Sequence, residues 1–263
     1  MQERTMRIKA FKDSEAGSRV TERYQEIDVL RGLAIFGMIV FHFFFDLDFL
    51  GIAEREMYAG GWGIFQKAIA TTFLLLVGVS LTLSYARAQK HHAIPSLFAK
   101  YGKRALRVFG CGLLITLVTY LLYPQQYIVF GILHMIGVSI LLALAFLSLY
   151  WLNLVLGIVL IYFGTVVQQN IVQTKALLWL GFVYPGFTTL DYYPLLPWFG
   201  VVLVGLFLGK YFYPRGEKRY KSVFAPIPTG WIPKLLSWMG RRSLVIYLVH
   251  QPILVGLLLV FVV

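Results

Sequence analysis

The sequence predicts an all-α protein, a polytopic membrane helix bundle of about seven transmembrane helices with one further re-entrant or interfacial segment. Three observations carry that reading. First, 59% of the 263 residues are hydrophobic and 14% are charged, whereas soluble domains carry roughly a quarter charged residues. So much apolar surface has no place in a water-soluble core. Second, the apolar residues gather into stretches near the ~20 residues that cross a bilayer, at about 28–46, 64–85, 101–123, 128–149, 151–168, 195–213 and 243–263. Third, the cations sort by side. Seven Lys and Arg lie in the segment through Arg31, six in 85–107 and eight in 210–242, so 21 of 24 share one side of the seven-span topology. The positive-inside rule then puts the N-terminus in the cytoplasm and the C-terminus outside.

Taken in order, residues 1–23 form a polar cytoplasmic segment of mixed charge, and 24–263 form the membrane domain. A hydrophilic leader of about 30 residues is long for a signal peptide, so the first span is read as an uncleaved helix. The second span, "FLLLVGVSLTLSYAR", offers Gly78, Ser80, Thr82 and Ser84, chiefly for helix packing. The basic loop 86–100 holds His91 and His92, which are read as solvated. In the fourth span, Gly131 and Gly137 flank His134 and permit close helix contact. The outer stretch 169–194 contains "ALLWLGFVYPGF", too short to cross and tolerable at membrane depth only when packed on protein. The sixth span opens on Pro197, with Asp191 and Trp198 at the outer interface as candidate acceptor contacts. The loop 214–240, with Pro214, Pro226, Pro228, Gly230 and Pro233, is expected to be irregular.

The net charge of +12 is a topology signal, with secondary use in holding anionic lipid or a phosphate-bearing substrate. Nucleic acid is not an expected partner. The single cysteine, Cys111, allows no internal disulfide. No internal repeat is evident, which weighs against a transporter built from inverted halves.

The chemistry concentrates in the first span. At 100° per residue, Asp28, Arg31, Ile35, His42 and Asp46 form one narrow stripe. Arg31 and His42 differ by about 20° in azimuth and roughly 16 Å along the axis. Asp46, four residues beyond His42, is placed to hydrogen-bond one ring nitrogen and raise the basicity of the other. Quiet packing is the alternative, yet ionisable groups inside spans mark substrate paths or relays by default. His134 and His250 are further candidates, His134 with interhelical hydrogen bonding as its equal alternative. His250 sits beside Gln251 in a helix that Pro252 kinks. The topology puts His42 and His134 nearer the outside and His250 nearer the cytoplasm. Metal is not expected, because His42 and Asp46 make the only pair with ligand spacing. There is no phosphate-binding loop, dinucleotide fingerprint or serine elbow.

These residues carry a resemblance. "IDVLRGLAIFGMIVFHFFFDL" resembles the opening helix of the transmembrane acyltransferase superfamily, in which Arg, ten residues and His recur; Arg31 and His42 match. "FLLLVGVSL" is similar to that superfamily's second-helix pattern and "GRRSLVIYLVHQPIL" to its closing helix. With "FGILHMIGVSILL" and "YYPLLPWFGVVLVG", the chain from about Tyr24 onward most resembles the bacterial branch of the heparan-α-glucosaminide N-acetyltransferase catalytic-domain family. The resemblance implies an integral protein of the bacterial inner (plasma) membrane. It implies transfer of an acetyl or other acyl group from cytoplasmic acyl-CoA, acetyl-CoA above all, to an amine or hydroxyl of a glycan or other acceptor on the far side. It also implies that Arg31 helps hold the donor and His42 acts at the reacting centre. Two departures stand out: the lysosomal relatives have Asn where this chain has His42, and they carry a functional histidine in the loop after the first helix, where residues 46–63 have none.

The residues themselves are compatible with this. A pantetheine arm can run along the Arg31–His42 face while Arg31, with Arg241 and Arg242 or with Lys103, Arg104 and Arg107, neutralises the nucleotide phosphates. His42, oriented by Asp46, takes the acceptor's proton during attack on the thioester. A proton-coupled permease and a non-enzymatic membrane partner protein are the competing readings. Association into a homo-oligomer is left open.

Overall fold

A computed structural model describes residues 24–89, 94–219 and 230–261. The polar segment 1–23, His91 and His92, and Pro226 and Pro228 lie outside these residues. Among the described residues there are eight α-helices and no strand: α1 (Gln25–Phe49), α2 (Gly60–Gln89), α3 (Ile94–Leu122), α4 (Ile132–Phe146), α5 (Trp151–Val167), α6 (Leu195–Phe212), α7 (Trp231–Arg241) and α8 (Ser243–Phe261). All seven expected spans are helices. The starts of α1, α3, α5, α7 and α8 share one end of the bundle, called here the basic end; the connections 50–59, 123–131 and 168–194 occupy the other, the loop end.

The bundle is built on α2 and α6. α2 packs against α6 and α1; α6 also takes α5 and α4; α4 carries α3; and α1 carries α7 and α8. Leu74 and Leu81 of α2, Met135 and Ile140 of α4, and Val202, Leu203 and Leu206 of α6 are sealed in the resulting core. Hydrocarbon offers little hydrophobic drive for helix association, so close backbone approach and dispersion do the work. Gly78 of α2 meets the α6 backbone at Gly205, where a methyl group on either residue would strike main-chain atoms of the other helix. Thr82, one turn on, donates to the carbonyls of Gly78 and Leu206, both at 3.3 Å. The outward faces are apolar: Leu113, Leu117 and Leu121 on α3, Val155, Ile158 and Tyr162 on α5, and Val249, Ile253 and Val260 on α8 are all exposed. That is a surface for lipid tails.

Among the described residues, five helices are long and apolar enough to cross a membrane. α4, with 15 residues, and α5, with 17, fall short of that length. α4 is shorter than the expected 128–149 span because irregular chain precedes it and satisfies its polar groups on protein. Leu190 N donates to Gln126 O at 2.9 Å and Tyr193 N to Phe130 O at 3.0 Å. Non-helical backbone at such depth survives only with partners of this kind.

Three expectations need correction. α3 begins at Ile94, not near 101. The loop 214–240 is not irregular throughout, since α7 forms within it. Pro233 falls in the first turn of α7, where a missing N–H costs nothing. The stretch 169–194, expected to be re-entrant or interfacial, does not take the re-entrant form; it contains a single 3₁₀ turn, Lys175–Leu177. It lies over the loop end, where Leu195 N donates to Trp179 O at 2.9 Å and Leu196 N to Leu180 O at 3.0 Å.

Candidate active site

α1 and α8 meet where their polar residues coincide. His42 and His250 lie with ring centroids 4.9 Å apart, their planes crossing at 63°. The two imidazoles are therefore level in the bundle, and His250 is not nearer the basic end as expected. The predicted His42–Asp46 hydrogen bond is not what α1 makes. Asp46, only 2% exposed, instead accepts at Oδ1 from Gln251 Nε2 at 2.9 Å, across to α8. His250 Nδ1 lies 2.7 Å from the Tyr247 carbonyl; a carbonyl only accepts, so Nδ1 carries the proton and Nε2 holds a lone pair.

Four buried atoms here have no hydrogen-bond partner among the described residues: His42 Nδ1, Asp46 Oδ2, His250 Nε2 and Gln251 Oε1. A buried unsatisfied polar group costs about 1–3 kcal/mol. A purely structural cluster would close on itself. Unpaired polar groups gathered at one helix contact make it the candidate site.

His42 also lines a cavity of about 450 Å³. Its walls include Gln66 and Lys67 of α2, Asp191, Tyr193 and Trp198 from the chain entering α6, and Tyr247 of α8. Along α1 the lining reaches Ala34, three residues short of Arg31. Asp191 accepts at Oδ2 from Ile132 N at 3.0 Å and so caps α4. Burial, only partly offset by that bond, pushes the Asp191 carboxyl up to about 6. Burial and the nearby Asp191 charge push the Tyr58 phenol, also in the wall, up to about 12. Gln66 donates to Tyr193 Oη at 2.7 Å, and Tyr193 stands 4.9 Å from Trp198, ring to ring. The cavity thus offers an imidazole, a carboxylate, one ammonium and aromatic faces.

Of the residues the sequence singled out, the structure gathers His42, Asp46 and His250 into one cluster and brings Asp191 and Trp198 into the adjoining cavity. Arg31 sits deeper: its guanidinium donates to Ser80 Oγ at 2.6 Å and pairs with Asp28 at 3.2 Å. Its Nη1 also reaches the Gly240 carbonyl at 3.4 Å, binding α1, α2 and α7 together. His134 does not join the site. Its Nδ1 accepts from Gly131 N at 3.2 Å and so caps the start of its own helix, while its Nε2 faces Thr116 Oγ1 of α3 at 3.4 Å; both nitrogens are taken up by structure. Lys103, Arg104 and Arg107 are exposed on α3, which packs on α4 rather than on α1. Arg241 Nη1 donates to Ser237 Oγ at 2.7 Å, and Arg242 stacks on Trp238 at 4.8 Å, both within the α7 segment. Sequence reasoning missed Tyr58, Gln66, Lys67 and Tyr193. Lys67 carries a visible signal, a cation within the predicted second span. Among the described residues, no three His, Cys, Asp or Glu side chains form a metal-ligand group.

No curated protein and no solved structure is significantly similar to the chain. The heparan-α-glucosaminide N-acetyltransferase catalytic family does match it, over residues 23–252. The match takes in α1, the cavity wall and α8 through Pro252, and so includes every residue of the cluster. The family is one of membrane acetyltransferases, and this integral membrane chain belongs to it.

Proposed function

We propose that the protein moves an acetyl group from acetyl-CoA, supplied at the basic end, to an amine or hydroxyl of a glycan or related envelope molecule entering the 450 Å³ cavity. The observation that carries this reading is the His42–His250 pair, with buried, unpartnered ring nitrogens, beside a cavity that Asp191 also lines. In this reading the basic end faces the cytoplasm of a bacterial cell and the loop end faces outward, as the distribution of Lys and Arg supports.

The donor's nucleotide stays at the basic end, near Arg31 and the α3 cations Lys103, Arg104 and Arg107. Its thioester reaches His42 along α1, the helix that carries both Arg31 and His42. Asp191 accepts a hydrogen bond from the acceptor, and Tyr193 and Trp198 offer it an aromatic wall. As the acceptor's nitrogen or oxygen attacks the thioester carbon, its proton passes to His42. The C–S bond then breaks, and the same proton goes to the departing thiolate. His250 holds the neighbouring ring in place through contact, while Asp46 and Gln251 tie α1 to α8.

Sealed vesicles given labelled acetyl-CoA on one side and candidate glycans on the other test this reading. Label should appear on the acceptor across the membrane. Wild-type protein that neither binds nor hydrolyses acetyl-CoA would sink it.

A further inference from the structure

At the basic end α1 and α7 enclose a second cavity, of about 320 Å³, lined by Gln25, Asp28, Lys234, Ser237 and Arg241. It shares no lining residue with the cavity at His42. We infer that this groove holds the phosphate headgroup of an anionic phospholipid, with α7 lying flat in the bilayer surface.

The shape of α7 comes first. Trp231, Ile232, Leu235 and Trp238 are 73%, 53%, 46% and 43% exposed, and their spacing puts them on one face. Ser237 and Gly240 are buried on the other side. A methyl group on Gly240 would strike the Asp28 carbonyl, and one on Gly32 the Leu236 carbonyl, so α7 lies directly on the α1 backbone. An exposed Trp-rich face on a short helix between two spans belongs at the membrane interface.

The charges come second. Lys234 and Arg241 stand two turns apart on one side of α7 and bracket Ser237, whose hydroxyl accepts from Arg241 at 2.7 Å. The acid in the lining, Asp28, is paired with Arg31 at 3.2 Å, which offsets its charge. Arg242, stacked on Trp238 at 4.8 Å, adds a cation at the end of α7. An ammonium and a guanidinium converging beside an interfacial helix complement a phosphodiester whose acyl chains continue past Trp238. The same cations would also suit a soluble phosphate ester, so the test separates the two sources.

The full-length protein in detergent is titrated with phosphatidylglycerol and with phosphatidylcholine, and bound lipid is counted by native mass spectrometry. Phosphatidylglycerol should be retained preferentially, and K234E/R241E should weaken its retention about 30-fold while phosphatidylcholine is unaffected. The neutral variant K234Q/R241Q should move in the same direction by less, guarding against a folding defect in the charge-reversed protein. R55E/K175E, at the loop end, should change nothing. Wild-type retention of phosphatidylglycerol in both groove variants would overturn the assignment. So would one-for-one displacement of that lipid by acetyl-CoA, which would make the groove a donor site. The inference does not depend on which acceptor the enzyme uses.

Discussion

His42 and His250, from the first and last helices of the bundle, touch ring to ring at 4.9 Å, each with one buried nitrogen unpartnered. The contact joins the first and last helices of the matched segment. It also makes the imidazole pair a unit. His250 Nδ1 is committed to the Tyr247 carbonyl at 2.7 Å, which fixes its tautomer and leaves the lone pair on Nε2.

His42→Ala should lower acetyl transfer by about 10²–10⁴-fold while the variant still elutes as a folded monodisperse species. His250→Phe, which keeps a ring and removes the lone pair, should give a smaller loss. Transfer of radiolabel from acetyl-CoA measures both. Equal rates in wild type and His42→Ala would remove His42 from the chemistry.

The Asp46–Gln251 bond at 2.9 Å should show as coupling between α1 and α8. Asp46→Ala and Gln251→Ala should each destabilise by about 1–3 kcal/mol. The double variant should cost less than the sum, by about 1 kcal/mol or more. A thermal or denaturant double-mutant cycle in detergent reads that difference, and strict additivity would mean the bond contributes nothing.

Asp191 should leave a pH signature. Its carboxyl titrates near 3.8 in the unfolded chain and near 6 in the fold, so between those values the folded state holds more protons. Stability should therefore fall as pH rises from about 4 to about 6 and level off above that. Asp191→Asn keeps an acceptor for Ile132 N and should flatten this slope, whereas Asp191→Ala should lose about 1 kcal/mol of capping as well. Melting temperature against pH for the three proteins is the measurement.

Gly240→Ala places a methyl group against the Asp28 carbonyl and should push α7 off α1. Overpacking of this kind costs about 1–3 kcal/mol, and the Arg31–Gly240 contact at 3.4 Å should be lost with it. Faster proteolysis near Arg241 is the expected readout. An unchanged cleavage rate would show that α7 has another anchor.

Much of this architecture was legible because bilayer physics writes it in long words. Seven apolar stretches, the bias of cations to one side, and an imidazole inside a span are period and composition signals that survive without partners. The family was legible for the same reason, since Arg31, His42, Gly78 and the closing helix sit in apolar runs at fixed spacing. What was not legible depends on partners brought from elsewhere in the chain. Asp46 reads as a companion for His42 from i+4 spacing alone, yet Gln251 offers a better donor once α8 docks. His134 reads as a functional imidazole until Thr116 and the Gly131 N–H take both of its nitrogens. α7 was hidden by its own proline, because a breaker in a helix's first turn breaks nothing. Gln66 and Lys67 became wall residues only when the 168–194 connection, which carries Tyr193, folded over them.

That connection has a further consequence. It lies over a chamber of about 450 Å³, toward the smaller end of small-molecule pockets, and in the proposed reaction part of that room would admit the thioester. What remains suits about one sugar unit, so an oligosaccharide would have to offer its last residue and leave its length outside. The enzyme would then act on chain ends, one per polymer, rather than decorating a strand as it slides through.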